Sequence, residues 1–486
     1  LMYSINWTCA IDVAIRAVNW IYAVNMIASS KHFNEPFVKK FILSLYEHGF
    51  FIYRNLEKGF PYSANHYASN ITGLLFIAQL FIHTKEGEKW WNFALNEFYN
   101  EIRLQILPSG VHYERSTAYH RLMTELFFYS YLMLKRVKTI IPQDIQYRIQ
   151  SMFDFILHYT KPDGHAPLIG DNDDGRLLPF IKMDFNDHRY LLSVASVEFN
   201  SGLYKKYASN FYVENVFLID SESYRRYDEI KISEEFLTSR AFGDAGFCIL
   251  RTNQFYLFIN NSELSKYPDY LRKLCFTHTH ADLLSFEMAY GNSNFIVDPG
   301  TYVYTSSVQA RNSFRGTAKH NTLSIDEMNQ QYLFENNLFS VDNNAIPAYF
   351  RLQVDDSIDT FTGSYNGFIN KETKINHQRN FVFNKEKLNC TIIDKLMVVG
   401  KHECKLFFHF ASEMNAKLLK ETIIVHSPYG HKLEINFNSK ETLKLELAPN
   451  TISRSYGCIE QSNSLFVSFT ANGSIEVTTI LQISEE

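Results

Sequence analysis

The stretch SESYRRYDEIKISEEF, residues 221–236, divides the chain into two kinds of sequence. Before it, apolar residues recur at intervals of three and four, the spacing that keeps one face of a helix apolar. After about residue 240 they recur at two, the spacing of a half-buried strand. Reading back from the stretch, AIDVAIRAVNWIYAVNMIA (10–28), EPFVKKFILSLYEHGFFIYRNL (35–56), NHYASNITGLLFIAQLFIHT (65–84), EKWWNFALNEFYNEIRLQIL (88–107), TAYHRLMTELFFYSYLMLKRV (117–137) and IPQDIQYRIQSMFDFILHYT (141–160) each predict an amphipathic helix. The connections are short and carry Pro, Gly, Asn or Ser, so neighbouring helices pair antiparallel. A clean sequence repeat is missing, which argues for a toroid of helix pairs and against the familiar solenoids.

Reading forward, FCILRTNQFYLFIN (247–260), LSFEMAYGNSNFIVD (284–298), NFVFNKEKLNCTIIDKLMVV (380–399), CKLFFHFAS (404–412), KLEINFNSKETLKLELA (432–448) and SLFVSFTANGSIEVTTILQIS (464–484) predict antiparallel strands. Gly291-Asn292 and Asn472-Gly473 are read as hairpin turns. The fold class is thus α+β and multidomain: an incomplete (α/α) toroid over 1–225, then a large antiparallel β-sandwich over 226–486. A cleft between the two is where a long ligand would lie.

The chain has 486 residues, 46% of them apolar, enough for more than one core. A net charge of −5 excludes the broad basic field of a nucleic-acid-binding protein. The 30 Tyr and 41 Phe are read mainly as core, with a few as sugar-stacking platforms. Six scattered cysteines without a CxxC pair predict buried free thiols. Arg16 interrupts the apolar opening, so 10–28 is read as an amphipathic helix, with no transmembrane segment predicted. The immediate helical start leads us to expect an upstream segment that carries any export signal.

Four stretches concentrate polar residues. In NHYASNITGLL, Asn65 and His66 open an apolar helix, and helix capping by Asn65 is the plain reading. In GVHYERSTAYH, Ser116 or Thr117 caps a helix whose first turn holds Tyr119 and His120; its N-terminus suits an anionic ligand. PLIGDNDDGR fails as a calcium loop, since Gly175, Arg176 and Lys182 stand where an acid, a Gly and a Glu are needed; it is read as a polar loop at a cleft mouth. The fourth runs from HTHADLLSFEM (278–288) through VDPGTYVY (297–304) to RNSFRGTAKHNTLSID (311–326). It offers His278, His280, Asp282, Asp298 and His320, with Arg311 and Arg315 between. Two His and one Asp make a plausible zinc set, and on a regular strand His278 and His280 would share one face.

Taken together, these stretches resemble the heparinase II/III family of polysaccharide lyases, from about residue 8 to the end. The resemblance implies a toroid followed by a sandwich and β-elimination on a uronic-acid polysaccharide: a glycosaminoglycan such as heparan sulfate, alginate or a bacterial capsule polymer. It implies that Asn65, with His66 and His278, neutralises the uronate carboxylate so that the C5 proton can leave. Tyr119 would act as base, as acid toward the leaving oxygen, or as both. Glu114, His120, Tyr302, Tyr304 and Arg311 are assigned to substrate binding. His280, Asp298 and His320 would hold a structural metal, zinc by preference, with Asp282 as an outer-shell or loop residue. A periplasmic or secreted protein is expected, because the polymer is met outside the cytoplasm. Two readings compete: a silent polysaccharide-binding or assembly protein, and a toroidal hydrolase using Asp171, Asp173 or Glu114.

Overall fold

The structure, a computed structural model, describes residues 4–59, 63–262, 278–342, 344–369 and 373–485. The six long helices fall where the periodicity predicts them: α1 Ala10–Ile27, α2 Glu35–Arg54, α3 Asn65–Leu80, α4 Lys85–Gln105, α5 Thr117–Arg136 and α6 Gln143–Tyr159. Shorter helices follow: α7 Arg189–Glu198, α8 Gly202–Ala208, α9 Glu214–Leu218 and α10 Ser223–Glu229. The domain boundary expected at 225/226 falls inside α10.

α3 is the central helix, packed against α1, α2, α4 and α5 and buried along most of its length. Its sequence allows this because the residues between its ends are apolar or small. Gly73 lets α1 approach so closely that an added Cβ would stand 2.6 Å from Ala14 Cβ. Ser69 returns its hydroxyl to the Asn65 carbonyl at 2.8 Å, so burial leaves that donor satisfied. α1 is long and apolar enough to cross a bilayer by length and composition. Here Val13, Ala14, Ala17 and Val18 are buried in the helical core. Fixing α3 on all sides fixes its first residue, Asn65, and that matters for the site.

Strands β1 Arg240–Phe242, β2 Phe247–Arg251, β3 Phe255–Asn260, β4 Ser285–Tyr290 and β5 Ser293–Ile296 form a five-stranded antiparallel sheet in sequential order. β2 and β3 are buried at every position, so their apolar runs do not alternate with polar residues. The reason is their place in the layers. Phe247, Ile249, Tyr256 and Phe258 pack into the helical core, while Cys248, Leu250, Phe255 and Leu257 pack against the second sheet. A sheet covered on both faces selects apolar residues on both.

After α11 Val308–Phe314 and the short strand β6 Leu323–Ile325 comes the main sheet. It comprises β7 Ile346–Gln353, β8 Ile358–Ile369, β9 Thr373–Asn384, β10 Asn389–His409, β11 Asn415–Leu419, β12 Thr422–His426, β13 His431–Ser439, β14 Lys444–Ile452 and β15 Glu460–Glu485. β13, β15, β10, β9, β8 and β7 lie side by side, with β6 and β14 pairing onto β10 and β15. The helical half followed by antiparallel sheets is the expected fold class.

One expected turn is absent. Gly291-Asn292 does join β4 to β5, but Asn472 and Gly473 lie inside β15. There the partner strand β10 bulges between Val398 and Lys401, and Gly473 sits at φ 84°. The two long strands bend together instead of reversing, since pairing continues on both sides of the bulge. Five cysteines are free thiols as expected, but only Cys248, Cys390 and Cys404 are buried. Cys9 is partly exposed and Cys458 exposed, because each lies at an element's edge or in a loop and not on a core-facing strand position; Cys275 lies outside the described residues.

Candidate active site

The site is built around a carboxylate that the sequence placed at a cleft mouth. Asp171 is fully buried and takes four donors. His278 Nδ1 lies at 2.9 Å, His280 Nε2 at 2.8 Å and Arg311 Nη2 at 2.7 Å, and Arg311 Nη1 bonds the remaining side of the carboxylate. Burial alone would raise this carboxyl group; the Arg311 guanidinium and the two imidazoles outweigh it and hold it well below the usual range. Gly170, at φ 69°, makes the approach possible: a Cβ there would meet the His278 carbonyl at 2.5 Å. The Asp171 N–H donates to that same carbonyl at 2.9 Å.

His278 and His280 therefore do face one carboxylate, but not from a strand. The described part of their segment is irregular up to β4, with Leu284 at φ 61°. With Nδ1–H given to Asp171, a neutral His278 presents Nε2 as an acceptor, and Asn65 Nδ2 lies 3.3 Å from it. Asn65 does not cap α3, whose N-cap is Ala64 without a side-chain bond. Its amide donates to Glu114, 3.1 Å from each carboxylate oxygen. Glu114 is 1% exposed, so it orients Asn65 and does not reach out to a polymer, which corrects its assignment to substrate binding.

Tyr119 lies in the first turn of α5, where the sequence pattern puts it. Ser116 caps α5 by accepting the Tyr119 N–H at 3.1 Å. The Tyr119 ring stacks on His278 with centroids 3.5 Å apart. Its hydroxyl donates to Asp173 Oδ2 at 2.8 Å and lies 3.4 Å from the Tyr304 oxygen. Lying in the first turn of α5 does not activate this phenol. Burial and the Asp173 charge push it well above its ordinary value, so it rests protonated.

Further residues move from their assigned roles. His66 is turned to Glu57, its Nδ1 3.0 Å from Oε1, and does not join the Asn65–His278 pair. His120 is fully buried, with Nε2 3.1 Å from the Met152 carbonyl and Nδ1 accepting the His112 N–H at 3.2 Å. Burial pushes it down to about 3; it is a core histidine, not a substrate contact. Arg311 is fully buried and committed to Asp171 and to the Leu338 carbonyl, so it braces the site from behind. Tyr304 stays at the site under the Arg311 guanidinium, 5.0 Å from its ring centre. Tyr302, at φ 64°, packs its ring 5.5 Å from Phe314.

The metal set gathers as predicted. One ligand atom from each of His280, Asp298 and His320 lies within 4.8 Å of the others, all three residues buried. The donor chemistry fits a cation. His280 spends Nε2 on Asp171, and His320 gives Nδ1 to Asp298 Oδ2 at 2.6 Å. That leaves His280 Nδ1 and His320 Nε2 buried without a hydrogen-bond partner among the described residues. Burial pushes His280 down to about 4, so its free nitrogen is a lone pair at neutral pH. Asp282 is buried nearby; burial raises its carboxyl to about 6, with Asp298 adding to the rise and His320 opposing it. What the sequence did not reveal is Asp171 as the hub and Asp173 as the partner of Tyr119. The acidic density of GDNDDG was visible, but not which way each carboxylate points.

Comparison with known proteins identifies the family. The heparinase II/III N-terminus profile matches residues 3–187, and the heparinase II/III-like, C-terminal profile matches 237–480. The chain belongs to the heparinase II/III-like family. It is 21% identical over 331 residues to a heparin-sulfate lyase of Pedobacter heparinus, covering 66% of this chain and 44% of that protein. A heparin-sulfate lyase of Bacteroides thetaiotaomicron is 22% identical over 337 residues, with the same coverage of 66% and 44%. The chain thus spans less than half the length of these relatives. The crystal structure of a heparan sulfate lyase from Pedobacter heparinus superposes with a TM-score of 0.71 at 17% identity, covering 99% of this chain and 69% of that one.

Proposed function

We propose that the chain is a polysaccharide lyase that cleaves a uronic-acid-containing polysaccharide by β-elimination. The convergence of Asn65 and Tyr119 on His278, which the buried, charge-braced Asp171 carboxylate holds, carries this reading. Asn65 meets the substrate carboxylate with its amide N–H and offsets the charge that grows on it as the C5 proton leaves. The Nε2 lone pair of His278, steadied through Nδ1 by Asp171, accepts that proton. Tyr119, resting protonated, gives its proton to the bridging oxygen as the bond to C4 breaks. Heparan sulfate is the first candidate polymer, supported by what the relatives are named for; alginate and bacterial capsule polymers follow. Such a polymer is met in the periplasm or outside the cell, where the enzyme would work.

Absorbance of the unsaturated uronate tests the reading, with heparan sulfate, heparin, chondroitin, hyaluronan, alginate and capsule polymers each incubated with the full chain. A rise with one polymer is expected. A flat trace across the panel would favour a silent scaffold, the reading to which the bond between Tyr119 and Asp173 lends weight.

His280, Asp298 and His320 are proposed to hold zinc in a structural role. Elimination needs no metal-bound water, and these residues tie the 278–284 segment to the strands behind it. Elemental analysis of the purified chain is expected to find zinc, with one equivalent lost in His320→Ala. Equal zinc in both would sink the assignment.

A further inference from the structure

A second group of ligand-type side chains lies outside this site. Cys9 stands at the N-cap of α1, Glu57 in the loop after α2, and His66 in the first turn of α3. Glu57 Oε1 is 3.0 Å from Cys9 Sγ and 3.0 Å from His66 Nδ1, and the sulfur and nitrogen are 3.9 Å apart. We propose that Cys9, Glu57 and His66 bind a divalent metal of the zinc type at the edge of the helical half.

Three observations carry the proposal. The first is donor chemistry: a thiolate, an imidazole and a carboxylate from three separate elements form a set that zinc accepts, unlike the oxygen-only sets of calcium and magnesium. The second is size. Zinc bonds of ~2.0–2.3 Å in tetrahedral geometry imply donor separations of roughly 3.3–3.6 Å. The observed separations bracket that range, so adjustments of roughly 0.3–0.6 Å suffice, the carboxylate oxygen retreating and the sulfur and imidazole nitrogen closing.

The third is how Glu57 is held. Its Oε2 accepts the Ile11 N–H at 2.7 Å and the Asn70 amide at 2.9 Å, and the Asn70 side-chain oxygen accepts the Glu57 N–H at 2.8 Å. Asn70 is fully buried, so the carboxylate is oriented from behind and Oε1 is left for the cluster. The His66 side chain is half exposed, which gives an ion a path from solvent and a water a fourth position. Binding replaces the Cys9 S–H proton, which passes to solvent, and converts the thiol to thiolate. The ion would lock the start of α1 to the start of α3, one residue from Asn65.

Cobalt(II) added to the full chain tests this, because thiolate ligation produces a near-ultraviolet charge-transfer band that nitrogen and oxygen ligands do not. The band is expected in the unaltered chain and in His320→Ala, and is lost in Cys9→Ser. His66→Gln, a change at a half-exposed position, should weaken cobalt binding at this site by at least about 10-fold, a cost seen even for outer-shell partners. Absence of the band in the unaltered chain would overturn the proposal. So would its survival in Cys9→Ser, or unchanged cobalt affinity in His66→Gln. None of these outcomes depends on lyase activity or on the His280–Asp298–His320 set.

Discussion

Tyr119→Phe is expected to lower turnover of the cleaved polymer about 10²–10⁴-fold, the usual contribution of a positioned acid or base. The variant removes one oxygen and keeps the ring, so the stacking on His278 at 3.5 Å survives. It also removes a donor from Asp173, a residue that is only partly buried and can turn to water instead. The stability change should therefore stay near ~1 kcal/mol, typical of a single hydrogen bond. Polymer affinity should change little, because Asn65 and His278 remain. Steady-state rates with an independent binding measurement separate the two effects. Turnover equal to that of the unaltered chain would remove Tyr119 from the chemistry.

Asp171→Ala is expected to destabilise the chain by about 3–5 kcal/mol, the cost of breaking one side of a buried ion pair. The Arg311 guanidinium has no exposure to solvent and would keep only the Leu338 carbonyl among the bonds described for it. His278 and His280 would each lose the acceptor that sets their tautomer. Asp171→Asn keeps the volume but not the charge, so it should lose a large share of the same stability. Urea midpoints with an unchanged slope provide the measurement. Midpoints equal to the unaltered chain in both variants would show that the hub is not structural.

The pH dependence follows from the same residue. A folded carboxyl titrating below the ordinary value of ~4 contributes fully above that pH. Its contribution declines as pH falls from there toward the folded value, because the unfolded chain then binds the extra proton.

Much of this protein could be read from its sequence. The helices α1 to α6 and the Ser116 cap depend on residues three or four apart in the chain, and local spacing reports them directly. The stretch 278–320 was visibly dense in His and Asp, but it was the family resemblance that picked out His280, Asp298 and His320, the three that gather in the fold. β2 and β3 carry apolar residues on both faces, a pattern that only their place between the helices and the main sheet accounts for. Asn472-Gly473 has turn composition, yet pairing on both sides holds it inside a strand.

The roles of the charged residues were the least legible. Asp171 meets His278, His280 and Arg311 across 107, 109 and 140 residues of chain, so no local pattern records those bonds. The same holds for Asn65, which looks like a cap until Glu114, 49 residues on, takes its amide. Spacing along the chain determined which elements form and which residue types gather. Only the tertiary structure decided which carboxylate is buried, which cation answers it and which histidine nitrogen is left free, because a charge taken out of water must be met by whatever partner the folded chain brings to it.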